Sequence, residues 1–114
     1  MRILCVSFAL GKESRLYCFF KKLFEGRIKK DITVRSNRIV IDGDIEIKFM
    51  SSRQSYQEFC LIGHWDILFI DTPVSKDIMG ELIYKSDMIF KQIPVSLDGW
   101  NAIFGKEKNA NPGA

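Results

Sequence analysis

The chain has 114 residues, nearly half of them apolar, and a formal net charge of only +3, which suits one domain whose core stands without metal or disulfide support. No apolar run approaches the ~20 residues of a spanning helix, and Met1 to Phe8 lacks a small-residue cleavage site after a long apolar stretch, so the expectation is a soluble, cytoplasmic protein with no membrane association. Cys5, Cys18 and Cys60 are odd in number, form no C-x-x-C pair and stand among apolar neighbours. They are expected as buried free thiols in a reducing compartment.

In chain order, Ile3 to Leu10 is an apolar run ended by Gly11 and reads as a first buried strand. Leu16, Phe19, Phe20 and Leu23 then recur at helical spacing, with Lys21 and Lys22 near the C-terminal end and Gly26 placed to stop the helix, which is expected over residues 13–24. Residues 32–50 alternate around Asp42-Gly43, a hairpin signal. A two-residue loop would set Ile41 against Asp44 and Ile39 against Glu46. A three-residue loop, Asp42 to Asp44, sets Ile41 against Ile45 and Ile39 against Ile47 with Phe49 on the same face, and it is the preferred register. That choice places a non-glycine residue at positive φ, which Asp tolerates better than most.

Ser51-Ser52 offers a cap for a short helix over residues 53–61, with Tyr56, Phe59 and Cys60 as its apolar face and Gly63 as its stop. Asp66-Ile67-Leu68-Phe69-Ile70-Asp71 follows, four apolar residues between two aspartates, ending at Thr72-Pro73. It predicts a central strand buried on both faces, with Leu68, Phe69 and Ile70 almost inaccessible. Thr72 is expected as the next cap and Pro73 as the first helical residue of a helix over 74–86, whose stripe is Val74, Ile78 and Leu82, widened by Met79 and Ile83. Residues 88–95 fit either a last strand ending at Pro94 or a prolongation of that helix. Trp100, Ile103 and Phe104 are apolar enough to dock on the body, and the polar, aperiodic residues 105–114 read as a disordered tail beyond a domain of residues 1–104. The fold class is therefore α/β: a single small domain with a mixed sheet of four to five strands, a parallel central pair, a β-hairpin and covering helices.

The glycine turn is the first place to look for chemistry. A phosphate-binding loop needs a strand, a glycine-rich turn whose amides converge at a helix N-terminus, and a Lys followed by Ser or Thr. In Val6-Ser7-Phe8-Ala9-Leu10-Gly11-Lys12-Glu13-Ser14 only Gly11-Lys12 fits that pattern: Val6 replaces the early glycine, Glu13 stands where the hydroxyl belongs, and Ser14 falls one residue late. The order strand, Gly-Lys turn, helix, hairpin, short helix, then Gly63-His64-Trp65-Asp66 to Asp71, resembles the first half of a P-loop ATPase core of the phage terminase large-subunit or helicase type, over roughly residues 3–86. The resemblance implies a phosphate site at Gly11 and Lys12 with Asp71 as the family's metal-binding acid. Thr72-Pro73 stands where the family carries a catalytic Glu, so what it implies is a reduced, non-hydrolysing relative of phage or mobile-element type.

Other catalytic groupings are sparse. His64 sits in a turn beside Trp65 with no partner indicated by spacing, and one His with three dispersed Cys does not make a zinc site. Asp42 and Asp44 fit turn chemistry. Asp66 and Asp71 lie at opposite ends of one strand, ~16 Å apart at ~3.3 Å per residue, too far to share a metal. No metal or cofactor is expected. Lys21, Lys22, Arg27, Lys29, Lys30, Arg35 and Arg38 crowd into eighteen positions, opposed by Glu25 and Asp31. Such a cluster forms an electrostatic footprint for phosphate backbones or an acidic protein, although the same residues also fit a solvated helix end and hairpin face, and the aromatics used for base stacking are missing. The leading expectation is a non-enzymatic binding or accessory protein acting on nucleic acid or an acidic host protein through this basic face. A degenerate nucleotide- or phosphate-binding protein using Gly11, Lys12 and Asp71 is the alternative, and a structural subunit forming a homo-oligomer is the third reading.

Overall fold

The computed structural model describes residues 1–32, 37–42 and 44–91. Six strands form one sheet: β1 (Arg2–Ser7), β2 (Ile28–Ile32), β3 (Arg38–Ile41), β4 (Ile45–Ser51), β5 (Trp65–Ile70) and β6 (Ser86–Phe90). Three helices, α1 (Arg15–Leu23), α2 (Tyr56–Cys60) and α3 (Lys76–Tyr84), connect them. The sheet order is β2-β3-β4-β1-β5-β6. β1 lies at its centre, parallel to β4 on one side and to β5 on the other, and β6 adds in parallel beyond β5. β2, β3 and β4 are antiparallel neighbours.

This is a mixed α/β sheet with the expected parallel central pair, but among the described residues it has six strands where four to five were expected. The extra strand at the outer edge is β2, Ile28-Lys29-Lys30-Asp31-Ile32, whose charged middle hides it from any hydrophobic pattern. An edge strand needs only one hydrogen-bonded neighbour, and lysines along it discourage pairing with another chain. β6 settles part of the ambiguity after α3. Residues 86–90 are strand, not helix. The rest of that segment, the docking residues Trp100, Ile103 and Phe104, and the 105–114 tail lie outside the described residues.

The hairpin adopts the three-residue loop. Ile41 pairs with Ile45 and Ile39 with Ile47, and Asp42 takes φ 51° to make the turn. Ile39, Ile41, Ile47 and Phe49 consequently join one core with Ile3, Cys5, Ile67 and Phe69, roofed by Leu16, Tyr17, Phe20 and Phe24 of α1 and its exit. Phe20 meets Phe69 edge-on at 5.6 Å between ring centres. On the opposite face Leu4, Val6, Met50, Leu68 and Ile70 pack against Phe59 of α2 and Ile78 and Leu82 of α3. The central strand is thus enclosed from both sides, with Leu68, Phe69 and Ile70 at 0, 1 and 4 % exposure.

All three helix starts fall later than expected: α1, expected from residue 13, begins at Arg15 behind the Ser14 cap. α2 is capped by Ser55, whose hydroxyl accepts from the Glu58 amide at 3.3 Å. Ser51 instead closes β4, with its hydroxyl donating to the Phe8 carbonyl at 2.8 Å and accepting from the Arg53 amide. α3 is capped by Ser75, which accepts from Ile78 N, so neither Thr72 nor Pro73 begins that helix. Starting at Lys76, the helix turns Ile83 about 140° away from Ile78 at 3.6 residues per turn, and Ile83 is 55 % exposed rather than part of the buried stripe. Lys85 closes the α2 end from the other helix, donating to the carbonyls of Phe59 and Cys60 at 3.2 and 2.7 Å while pairing with Glu81.

Candidate nucleic-acid interface

The connection from α1 into β2 is made by Gly26, which takes φ 82°, and by Arg27 N donating to Phe24 O at 2.9 Å. This tight exit carries the last turn of α1 directly into the lysine-bearing edge strand. Along the flank runs an open groove of about 500 Å³ lined by Lys12, Tyr17, Cys18, Lys21, Lys22 and Ile28, with Glu25 as its carboxylate. Lys29 and Lys30 follow Ile28 on β2, both exposed.

The cations of the basic cluster do not share one state. Lys21 is held by Asp31 at 2.9 Å, and Asp31 also accepts from the Tyr17 hydroxyl at 2.9 Å. Hydrogen bonding to Asp31 and Tyr17 raises the Lys21 ammonium above its ordinary pKa. Arg27 pairs with Asp42 across the turn at 2.6 Å. Arg38 points to the other sheet face, where it meets Glu46 at 3.5 Å. Arg35 lies outside the described residues. Lys12, Lys22, Lys29 and Lys30 are exposed and have no ion pair among the described residues. Arg15, exposed on the first turn of α1, was not singled out from the sequence, because an isolated arginine carries no pattern.

The Gly11 turn is built differently. Gly11 takes φ 65° and opens a short 3-10 turn over Gly11–Glu13, closed by Ser14 N donating to Gly11 O at 3.0 Å. Ser14 then caps α1, accepting from Tyr17 N and donating to Ser7 Oγ, each at 3.2 Å. Since β1 and β5 run parallel side by side, this turn and Asp71 share the carboxyl edge of the sheet, where Asp71 N donates to Val6 O at 3.2 Å. Open α/β sheets hold ligands at that edge, at the point where connections leave for opposite faces. Here α1 leaves β1 for one face and α3 leaves β5 for the other.

His64 gains partners that spacing could not show. Its Nε2 lies 2.8 Å from Asp87 Oδ1, because parallel β5 and β6 set Trp65 against Ser86 and bring the two flanking residues together. His64, Asp66 and Asp87 place one donor atom each within 4.8 Å of one another, so they are the described residues that could share a cation. Asp66 is already engaged by the Arg2 amide at 2.7 Å. The cysteines also divide. Cys5 is buried, Cys18 exposed and Cys60 half-buried, so the expectation of three buried thiols is corrected. Cys18 opens onto the groove because its own position on α1 faces away from the core, and its thiol donates to the Lys12 carbonyl. Burial, with Asp71 as a lesser cause, pushes the Cys5 thiol well above its ordinary pKa.

These features define an α/β domain with a lysine-rich flank. Comparison with protein-family models, with curated proteins and with solved structures found no match. No helix among the described residues is long and apolar enough to cross a membrane.

Proposed function

We propose that this domain binds nucleic acid through the flank formed by α1 and β2, gripping the phosphate backbone without reading bases. The observation that carries the reading is the set Lys12, Lys22, Lys29 and Lys30, all exposed and unneutralised by any ion pair among the described residues, with Lys12 and Lys22 lining the groove and Lys29 and Lys30 on the edge strand that adjoins it. Lysines of this kind release condensed counterions when they meet phosphates, whereas lysines already paired gain less. Backbone contacts fix position and carry little sequence information, which suits a surface of ammonium groups with no exposed aromatic among these four.

The test is fluorescence anisotropy with a labelled duplex and a labelled single strand at low salt. The triple reversal Lys22→Glu, Lys29→Glu and Lys30→Glu touches only exposed, unpaired side chains, so far-ultraviolet circular dichroism should be unchanged. Affinity should fall by at least about tenfold for all sequences alike. Unchanged affinity in the reversal overturns the proposal, as does recovery of an acidic protein partner by a chain that leaves nucleic acid unbound.

A second reading, a reduced P-loop-like phosphate site, is favoured by one observation: the positive-φ turn at Gly11 and Asp71 occupy the same carboxyl edge. It predicts that Lys12→Ala alone abolishes binding of a nucleotide while the triple reversal does not. A homo-oligomer would instead associate independently of salt and of both changes.

A further inference from the structure

On the sheet face opposite α1, the five-residue α2 is too short to cover the outer strands, and it leaves a groove of about 500 Å³ above β3, β4 and the start of β1. The volume lies in the range of small-ligand sites. Arg2, Arg38, Glu46 and Lys48 supply its charged floor, and Met50 and Ile62 part of its apolar wall.

The charges on that floor are arranged against themselves. The hairpin register sets Arg38 directly opposite Lys48, and like charges in that relation destabilise a sheet. One carboxylate answers them, and it is divided: Glu46 lies 3.5 Å from Arg38 and 3.7 Å from Arg2, both long for an ion pair. Glu58, at the rim, is engaged by the Gln54 amide. Lys48 has no ion pair or side-chain hydrogen bond among the described residues.

A second observation points the same way. Arg38 Nε and Trp65 Nε1 are buried and have no hydrogen-bond partner among the described residues, and Trp65 is 2 % exposed. Both residues line the groove. Buried polar groups are almost always partnered, and both of these are donors only. Arg2 lies over the Trp65 ring at 4.2 Å and donates to His64 O at 2.9 Å, so it forms the cover through which Trp65 meets the groove. The lining thus sets three cations, Arg2, Arg38 and Lys48, against the carboxylates of Glu46 and Glu58, and the unpartnered buried atoms among its described residues are both donors.

We infer that this groove binds a small organic anion whose carboxylate or phosphate sits between Arg38 and Lys48 and whose apolar part lies against Met50 and Ile62. The planar fork of Arg38 suits either headgroup in a two-point contact, and an anion between the two cations turns their repulsion into shared attraction. The site is separate from the groove lined by Lys12 and Lys22, which belongs to the α1 face.

The test is a titration of the full ¹⁵N-labelled chain, following the Trp65 indole N–H and Arg38 Nε–H resonances. The probes are benzoate, phenyl phosphate, inorganic phosphate and, as a neutral control, benzamide. Benzoate or phenyl phosphate should shift both resonances saturably, and the stronger of the two identifies the headgroup. Lys48→Met, which keeps the side-chain length and removes a repelled charge, should leave the free protein folded and weaken that probe at least about tenfold, as expected for loss of a charge-assisted contact. A Lys12→Glu and Lys22→Glu variant, altered in the groove on the α1 face, should bind it unchanged, which separates failure here from failure of the nucleic-acid reading. No saturable shift with either organic anion, equal binding of benzamide, preference for inorganic phosphate, or an affinity indifferent to Lys48→Met would each overturn the inference.

Discussion

Leu68→Ala tests the enclosed central strand with a magnitude that follows from the structure. Leu68 is fully buried, paired in register between Leu4 of β1 and Ile89 of β6, in the cluster completed by Phe59, Ile78 and Leu82. The substitution deletes three carbon atoms, worth about 2.4 kcal/mol in transfer at ~0.8 per methylene. Two packed helices and two neighbouring strands restrain collapse, so a cavity contribution adds to it, for a total of about 3–5 kcal/mol. Against a domain stability of about 5–15 kcal/mol that is a large fraction. With an unfolding entropy of roughly 2.1 cal/mol/K per residue, each kcal/mol lowers the melting temperature by about 4 °C in a chain of this size. Urea unfolding followed by circular dichroism should show a lower midpoint and an unchanged slope. Ile83→Ala, at the exposed position on α3, should change stability by less than about 0.5 kcal/mol. A Leu68→Ala loss below about 1 kcal/mol, or a larger loss at Ile83, would refute the reasoning.

Ser75→Ala should cost about 1 kcal/mol by removing the α3 cap, while Thr72→Ala should cost little, and equilibrium unfolding of the two variants distinguishes the positions. A thiol reagent such as dithionitrobenzoate should modify Cys18 rapidly in the folded protein and Cys5 only on unfolding, as read by mass spectrometry of the labelled peptides. Because the folded Cys5 pKa is raised, its thiol costs nothing below the unfolded value. Stability should fall as pH rises from the ordinary thiol range toward the folded pKa, since only the unfolded chain then ionises, and Cys5→Ser should flatten that decline in urea midpoints measured at rising pH.

Much of the fold was legible where local pattern and burial agreed. Between Asp66 and Asp71 the uninterrupted apolar run marked a strand covered from both sides, and between Ile39 and Phe49 only the three-residue loop aligned the isoleucines. That same register already placed Arg38 opposite Lys48, so the charge conflict in the second groove could have been read from sequence, although its significance required seeing how short α2 is. β2 was hidden because a charged edge strand has no hydrophobic period. The two late helix caps were hidden because Ser51, Thr72, Ser55 and Ser75 are chemically alike, and only the path over the sheet edge decides among them. The meeting of His64 with Asp87 depends on the register of two parallel strands joined through a helix, which leaves no local trace. Within the lysine flank, the sequence showed the density of charge but not its division: Asp31 and Asp42 neutralise Lys21 and Arg27, and Arg38 belongs to the other face.

The most direct test of the nucleic-acid reading is the salt dependence of affinity. If Lys12, Lys22, Lys29 and Lys30 each neutralise a phosphate, the slope of log affinity against log salt should be about −3.6 for duplex and about −2.8 for a single strand. The triple reversal should bring the duplex slope toward about −0.9, the value for one remaining contact. A slope near zero in the unmodified chain, or the same steep slope with and without the three lysines, would contradict the account.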